Sequence, residues 1–235
     1  MEQVTEIKKK KAKINNKTVR FSGAPWYSPG IDVFVGGAGG IGSWLSLFLA
    51  RQEANIYLFD YDVVDEVNLA GQLYGVDQIG ETKAQAMKNN ILNSCGHSQV
   101  EICGKYDEES MTNKYVFSAF DNMAARKLMF EKWVEEFKDD KEALFVDGRM
   151  LAEIGQIYFV TNDRIEAYRA TLFEDSEVQL EDCSYKATSH CGALIASLMI
   201  SGFNNFITNV KNKCDLRDVP FSITYELPLL NFDVK

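Results

Sequence analysis

Histidine is almost missing from the chain: His97 and His190 are the two in 235 residues, so a reaction that depends on an imidazole general base has little to draw on. The five cysteines include no C-x-x-C pair, and with two imidazoles a structural zinc cluster is excluded, so no zinc site is expected. Long apolar runs are also lacking. The longest, residues 193–203, falls well short of a membrane span. The opening residues, MEQVTEIKKKKAK, lack the apolar core of a signal peptide, which points to a cytoplasmic protein without disulfides. Basic charge is in deficit, with 25 Lys and Arg against 34 Asp and Glu and a net charge of -9, which argues against a nucleic-acid partner. The run Lys8 to Lys11 is the exception and reads as a solvated tail, the other reading being a dock for an acidic partner.

What is present is an ordinary globular composition, 46% hydrophobic and 25% charged, at a length suited to one α/β domain. Residues 1–30 form a basic tail and lead-in, and residues 31–235 a single domain. From residue 31 onward, short β-branched or aromatic runs alternate with helical periodicity, the pattern of a mostly parallel sheet with helices on both faces. IDVFV, NIYLFD, VEIC, KYVFSAF, ALFVDG and IGQIYFV read as strands; residues 41–52, 82–94, 122–138 and 191–209 read as helices. Residues 174–190 are polar and aperiodic and read as a long mobile loop, while FSITYELPLL is a late strand pair or edge interrupted by Pro228.

Gly37, Gly39 and Gly42 form G-x-G-x-x-G between the first strand and first helix, where missing side chains let backbone N–H groups approach phosphate. Asp60 closes the second strand where a ribose hydroxyl would sit. Alone, these features suit an NAD-type dinucleotide, or a tight turn with no nucleotide. The acidic stretch D-Y-D-V-V-D-E-V-N-L (60–69) and the lysine in G-E-T-K (80–83) have no evident use in a dehydrogenase. Each also has a structural reading: Asp60 and Asp121 as helix caps, Asn68 as a turn residue, Lys83 as a solvated side chain.

Taken in order, GAGGIG (37–42), D-Y-D-x-V-x-x-x-N-L (60–69), Gln72, G-x-x-K (80–83), D-N-x-x-x-R (121–126) and GQI (155–157) resemble the ThiF/MoeB superfamily, the adenylating domain also found in ubiquitin-activating enzymes. The resemblance runs over about residues 31–210. It implies a Rossmann-like α/β adenylating fold that binds ATP with Mg2+. Gly37, Gly39, Gly40 and Gly42 would lie near the phosphates, Asp60 on the ribose, Asn68, Gln72 and Lys83 in the nucleotide site, and Asp121 on magnesium. Arg126 would either contact phosphate or pair with a nearby acid. The implied reaction is adenylation of the C-terminal carboxylate of a ubiquitin-like or sulfur-carrier protein ending in glycine, by a homodimer.

Two departures from the family, at Gly71 and at the zinc-binding cysteines, bear on that reading. Family members often carry N-L-x-R-Q, whereas this chain has Gly71 at the arginine position; Arg20 acting across a dimer, or Arg149, would have to replace it. Cys183 lies where relatives carry an acceptor cysteine, and would take the acyl group as a thioester if its thiolate is stabilised. Cys191 and His190 read as packing or capping residues. Both zinc-binding C-x-x-C pairs of relatives are missing. The rival readings are adenylation of another carboxylate, on a peptide or a modified tRNA nucleoside, and a non-catalytic subunit of a heterodimer.

Overall fold

The computed structural model describes residues 17–174 and 188–235. One eight-stranded sheet runs through them in the order β3-β2-β1-β4-β5-β6-β7-β8. The strands are β1 (Asp32–Gly36), β2 (Asn55–Phe59), β3 (Val100–Gly104), β4 (Tyr115–Ser118), β5 (Leu144–Leu151), β6 (Ile154–Val160), β7 (Ser222–Glu226) and β8 (Asn231–Val234). β1 to β5 pair in parallel and β6 to β8 continue the sheet antiparallel, so the expected mostly parallel α/β sheet is observed.

Side chains alternate across the strands, and this two-residue period builds two cores. Val33, Val35, Ile56, Leu58, Phe117, Leu144 and Val146 face α1 (Gly42–Arg51), α2 (Lys83–Cys95) and α5 (Ser189–Asn212). Phe34, Phe59, Val116 and Phe145 face α3 (Met123–Phe137) and α4 (Ile165–Arg169). Helices α1 and α3, which follow the neighbouring parallel strands β1 and β4, therefore lie on opposite faces. That makes the C-terminal ends of β1 and β4 the topological switch point, the place where open α/β sheets leave a crevice for ligands.

Three elements differ from expectation. α5 begins two residues earlier and ends three later than its apolar run, because polar Ser189, His190 and Asn212 lie in its end turns, where they reach solvent. By length and composition α5 could cross a membrane, but its apolar residues are buried against the sheet and α1, which accounts for them. Helix α4 is too short for its periodicity to show in sequence. Pro228 occupies a 3-10 turn, Leu227–Leu229, between β7 and β8, so FSITYELPLL and the residues after it form a hairpin.

Candidate nucleotide site

The glycine loop is built by contacts that admit no side chain. Gly37 has φ +92°, and a Cβ there would stand 2.7 Å from the Ala119 carbonyl oxygen. At Gly42 a Cβ would run into the Gly37 carbonyl oxygen, and at Gly192 into that of Gly40. The loop is thus closed on itself, held by the end of β4 on one side and by the first turn of α5 on the other. At Gly39, by contrast, a Cβ would meet none of the described atoms within 4 Å. Its bareness leaves room that a ligand can use. Gly192→Ala is expected to force the α5 start off the loop, at about 1–3 kcal/mol by analogy with overpacked cores; a thermal melt lowered by several degrees together with weakened nucleotide binding would show it.

Asp60 anchors this loop. Its Oδ2 accepts from the Ala38 N–H at 2.7 Å and its Oδ1 from the Asp62 N–H at 2.8 Å. Burial pushes the Asp60 carboxyl above its ordinary value, while those two N–H groups and Lys83 pull it down. Residues 62–83 then fold back on themselves: the Val64 N–H bonds to Glu81 O, Gly80 turns with φ +93°, and the Lys83 N–H donates to Asp62 O at 2.8 Å. Lys83 opens α2 with its side chain 10% exposed, and its Nζ pairs with Asp62 Oδ2 at 2.8 Å. The solvated-surface reading of Lys83 therefore fails. A nearly buried ammonium stands beside the second strand end, held by a half-exposed carboxylate.

Asn68 does serve as a turn residue: its Oδ1 accepts from the Asp65 N–H at 2.8 Å and closes the 3-10 turn Glu66–Asn68. The Gln72 N–H returns to Asn68 O, and Gln72 Oε1 is buried with no hydrogen-bond partner among the described residues. Neither Asp60 nor Asp121 caps a helix. Asn122 caps α3, accepting from the Ala125 N–H at 2.8 Å, which leaves the neighbouring Asp121 exposed at the end of β4, its Oδ1 3.3 Å from Asn122 Nδ2. The Ala119 N–H bonds to Gly36 O at 2.7 Å, so Asp121 emerges two residues from the glycine loop.

Of the two roles open to Arg126, the acid pairing is the one formed. Its Nη1 lies 2.7 and 2.9 Å from the carboxylate oxygens of the fully buried Asp147 on β5, and its Nη2 donates to the Phe120 carbonyl. Arg149 shares that carboxylate, with Nε 2.7 Å from Asp147 Oδ2, and its other nitrogens hold Thr171 O and Oγ1. Asp62 and Asp147 are the residues that sequence reasoning missed. A lone aspartate inside the apolar run LFVDG was the available signal, since a buried carboxylate needs a cation.

The sequence matches the ThiF family over residues 30–226. The chain belongs to the ThiF family. Among solved structures, E. coli MccB with selenomethionine-labelled MccA superposes with a TM-score of 0.69 at 16% identity, covering 94% of this chain and 71% of that one. E. coli MccB with ATP gives 0.66 at 15% identity, covering 94% and 71%. PaaA gives 0.64 at 16% identity, covering 87% and 63%. In some of these alignments the chain spans less than two thirds of its neighbour, as for the MccB succinimide complex, where it covers 63%. Comparison with curated proteins returned no match.

The remaining residues that the ThiF resemblance pointed to are not gathered at the loop within one chain. Arg20 is exposed in a lead-in that docks at the opposite end of the sheet from the glycine loop, where Lys17 Nζ bonds to Cys95 O at the end of α2 and Lys211 near the end of α5 bonds to Tyr27 O. Arg149 is engaged by Asp147 and Thr171 and cannot supply the charge missing at Gly71. Cys183 and most of the polar loop lie outside the described residues; Ser189 and His190, expected in that loop, form the first turn of α5. His190 is exposed there, 3.7 Å from Glu153. Cys191 is fully buried, its Sγ 3.1 Å from the Tyr225 hydroxyl, and burial pushes its thiol up, as a packing residue requires. Among the described residues no group of three or more His, Cys, Asp or Glu side chains is placed to hold a metal. Asp121 alone would suit Mg2+ that takes its other ligands from phosphate oxygens and water.

Proposed function

We propose that this chain is an ATP-dependent adenylyltransferase that joins a carboxylate to the α-phosphate of ATP. The reading is supported by the bare glycine loop after β1, with Asp60 and the nearly buried Lys83 at the end of β2 on one side and Asp121 just after β4 on the other. In the reaction a carboxylate oxygen attacks the α-phosphorus, the bond to the β-phosphate oxygen breaks, and pyrophosphate leaves. The nucleophile is already ionised at neutral pH and needs no general base, which agrees with the scarcity of histidine. What this chain must supply is position and positive charge. Helix α1 directs its N-terminus and the loop N–H groups at the phosphates, Lys83 contributes the ammonium, and Asp60 faces the ribose. Mg2+ held by Asp121 would neutralise charge on the phosphate oxygens.

The carboxylate is placed at the end of a polypeptide. A ubiquitin-like or sulfur-carrier protein ending in glycine is one form. The MccB structures with MccA, which takes up selenomethionine and is therefore a polypeptide, support a peptide as the other. A homodimer would bring Arg20 from a second copy, and Cys183 would accept the acyl group as a thioester. ATP–pyrophosphate exchange tests the scheme: exchange should depend on a polypeptide with a free C-terminal carboxylate, vanish when that end is amidated, and survive Cys183→Ala. Saturable NAD binding without ATP binding would remove the reading.

A further inference from the structure

The glycine loop has a second clamp besides Asp60, and no motif singled it out. Tyr74 lies in the segment between β2 and α2, 8% exposed, with its hydroxyl 2.5 Å from the Ala38 carbonyl oxygen and 3.4 Å from that of Lys83. A phenol has one proton to give, and the shorter contact takes it. We propose that the Tyr74 hydroxyl is a positioning group for ATP: by holding the Ala38 carbonyl it fixes the phosphate-facing orientation of the loop and sets it against the first turn of α2, where Lys83 begins. This inference rests on the nucleotide reading above.

Ala38 stands between Gly37, with φ +92°, and Gly39, so the peptide groups before and after it each adjoin a glycine and meet little steric resistance to turning over. One contact opposes each rotation: Asp60 Oδ2 holds the N–H of the 37–38 peptide, and Tyr74 holds the C=O of the 38–39 peptide. A turned peptide would aim a carbonyl oxygen, instead of sheltering it, at a loop meant for an anion. The segment delivering the phenol is itself pinned: the Leu73 N–H donates to Ser43 Oγ on α1 at 3.2 Å, and Asn90 Nδ2 on α2 donates to Leu73 O at 2.7 Å. Asn90 also exchanges hydrogen bonds with the buried Gln78, whose Oε1 accepts from the Gly75 N–H. The hydroxyl therefore cannot follow the loop if the loop moves. Burial, with Asp60 and Asp62 nearby, pushes the phenol above its ordinary value, which keeps the hydroxyl protonated and a donor at neutral pH.

Tyr74→Phe keeps the ring and removes one proton donor. In the full chain it is expected to weaken Mg-ATP binding by about five- to twentyfold, the lower part of the range for leaving one buried acceptor unmet. The KM for ATP in pyrophosphate exchange should rise by the same factor, with kcat and the KM for the carboxylate within about twofold. The control is Thr208→Val, which removes a hydroxyl bonded to Asn204 O within α5, distant from the loop. It should lower the melting temperature comparably and leave the KM for ATP unchanged. Equal ATP affinity in the wild type and Tyr74→Phe overturns the positioning role and leaves the nucleotide reading standing. A parallel loss in kcat and both KM values, matched by Thr208→Val at equal melting temperature, overturns it as well. A wild-type chain that binds no ATP overturns both.

Discussion

Lys83→Met is expected to lower the rate of ATP–pyrophosphate exchange by about 10²- to 10³-fold, the size of effect seen when one preorganised charge-stabilising donor is removed from a catalytic site. The side chain is 10% exposed, and in the ligand-free fold its ammonium rests on Asp62, a carboxylate still 46% exposed. That difference separates function from stability. An ion pair with one partner so open to water contributes about 0–1 kcal/mol, so the melting temperature should move by no more than a few degrees. In the proposed reaction, by contrast, pyrophosphate would leave with charge that the nearly buried Lys83 ammonium is there to meet. Lys83→Arg is not a neutral control, because a planar fork cannot take the place of a compact ammonium at a site already closed by Asp62 and the Tyr74 segment. Exchange in Lys83→Met within threefold of the wild type would show that the charge facing the phosphates comes from elsewhere.

Sequence and structure agree most where a residue type has one physical use. The sheet was legible because strand runs such as Val33–Val35 and Leu144–Val146 are buried and made of apolar β-branched, aromatic or aliphatic residues, and the glycine loop because Gly37 needs positive φ and Gly42 needs the absence of Cβ. The site was half legible. Asp60 and Asp121 each had a capping alternative with equal chemical merit, and what decided against it was neighbourhood: Asn122 takes the α3 cap, and Asp60 is drawn to the Ala38 N–H across the loop. Asn68 shows the converse, because it does close a turn. Spacing cannot report such choices, since they depend on which acceptor reaches an N–H first. Gly192 was invisible for a similar reason. It lies in a helix rich in small residues, and its contact with Gly40 joins positions more than 150 apart in the chain. Arg126 is a residue whose motif was legible and whose partner was not, because Asp147 reaches it from the neighbouring strand.

That partner carries the largest expected effect on stability. Asp147→Asn removes the carboxylate between two guanidinium groups, Arg126 at 2.7 Å and Arg149 at 2.7 Å, with Asp147 fully buried and the two arginine side chains 5% and 12% exposed. One carboxylate against two cations leaves a buried excess of positive charge even in the wild type. The aromatic faces of Tyr158 and Tyr168, 4.7 and 5.5 Å from the Arg149 guanidinium, offset part of it. An amide in place of the carboxylate cancels neither cation and turns an NH₂ group toward one of them. Breaking a buried pair from one side costs about 3–5 kcal/mol, which for a chain of this size lowers the melting temperature by about 6–20 °C. Activity should fall even well below the melting transition. Arg126 also holds the Phe120 carbonyl, next to Asp121, and Arg149 holds Thr171 through two hydrogen bonds, so loosening Asp147 frees the strand end that presents Asp121, the carboxylate proposed to hold Mg2+. The triple change Arg126→Met, Asp147→Leu, Arg149→Met separates the two effects. Replacing the whole cluster with apolar side chains removes the unpaired charges and should recover much of the lost stability. It cannot restore the bond to Phe120, so exchange should remain depressed. A single variant melting within 3 °C of the wild type, or a triple variant with full exchange, would show that this cluster neither supports the fold nor positions Asp121.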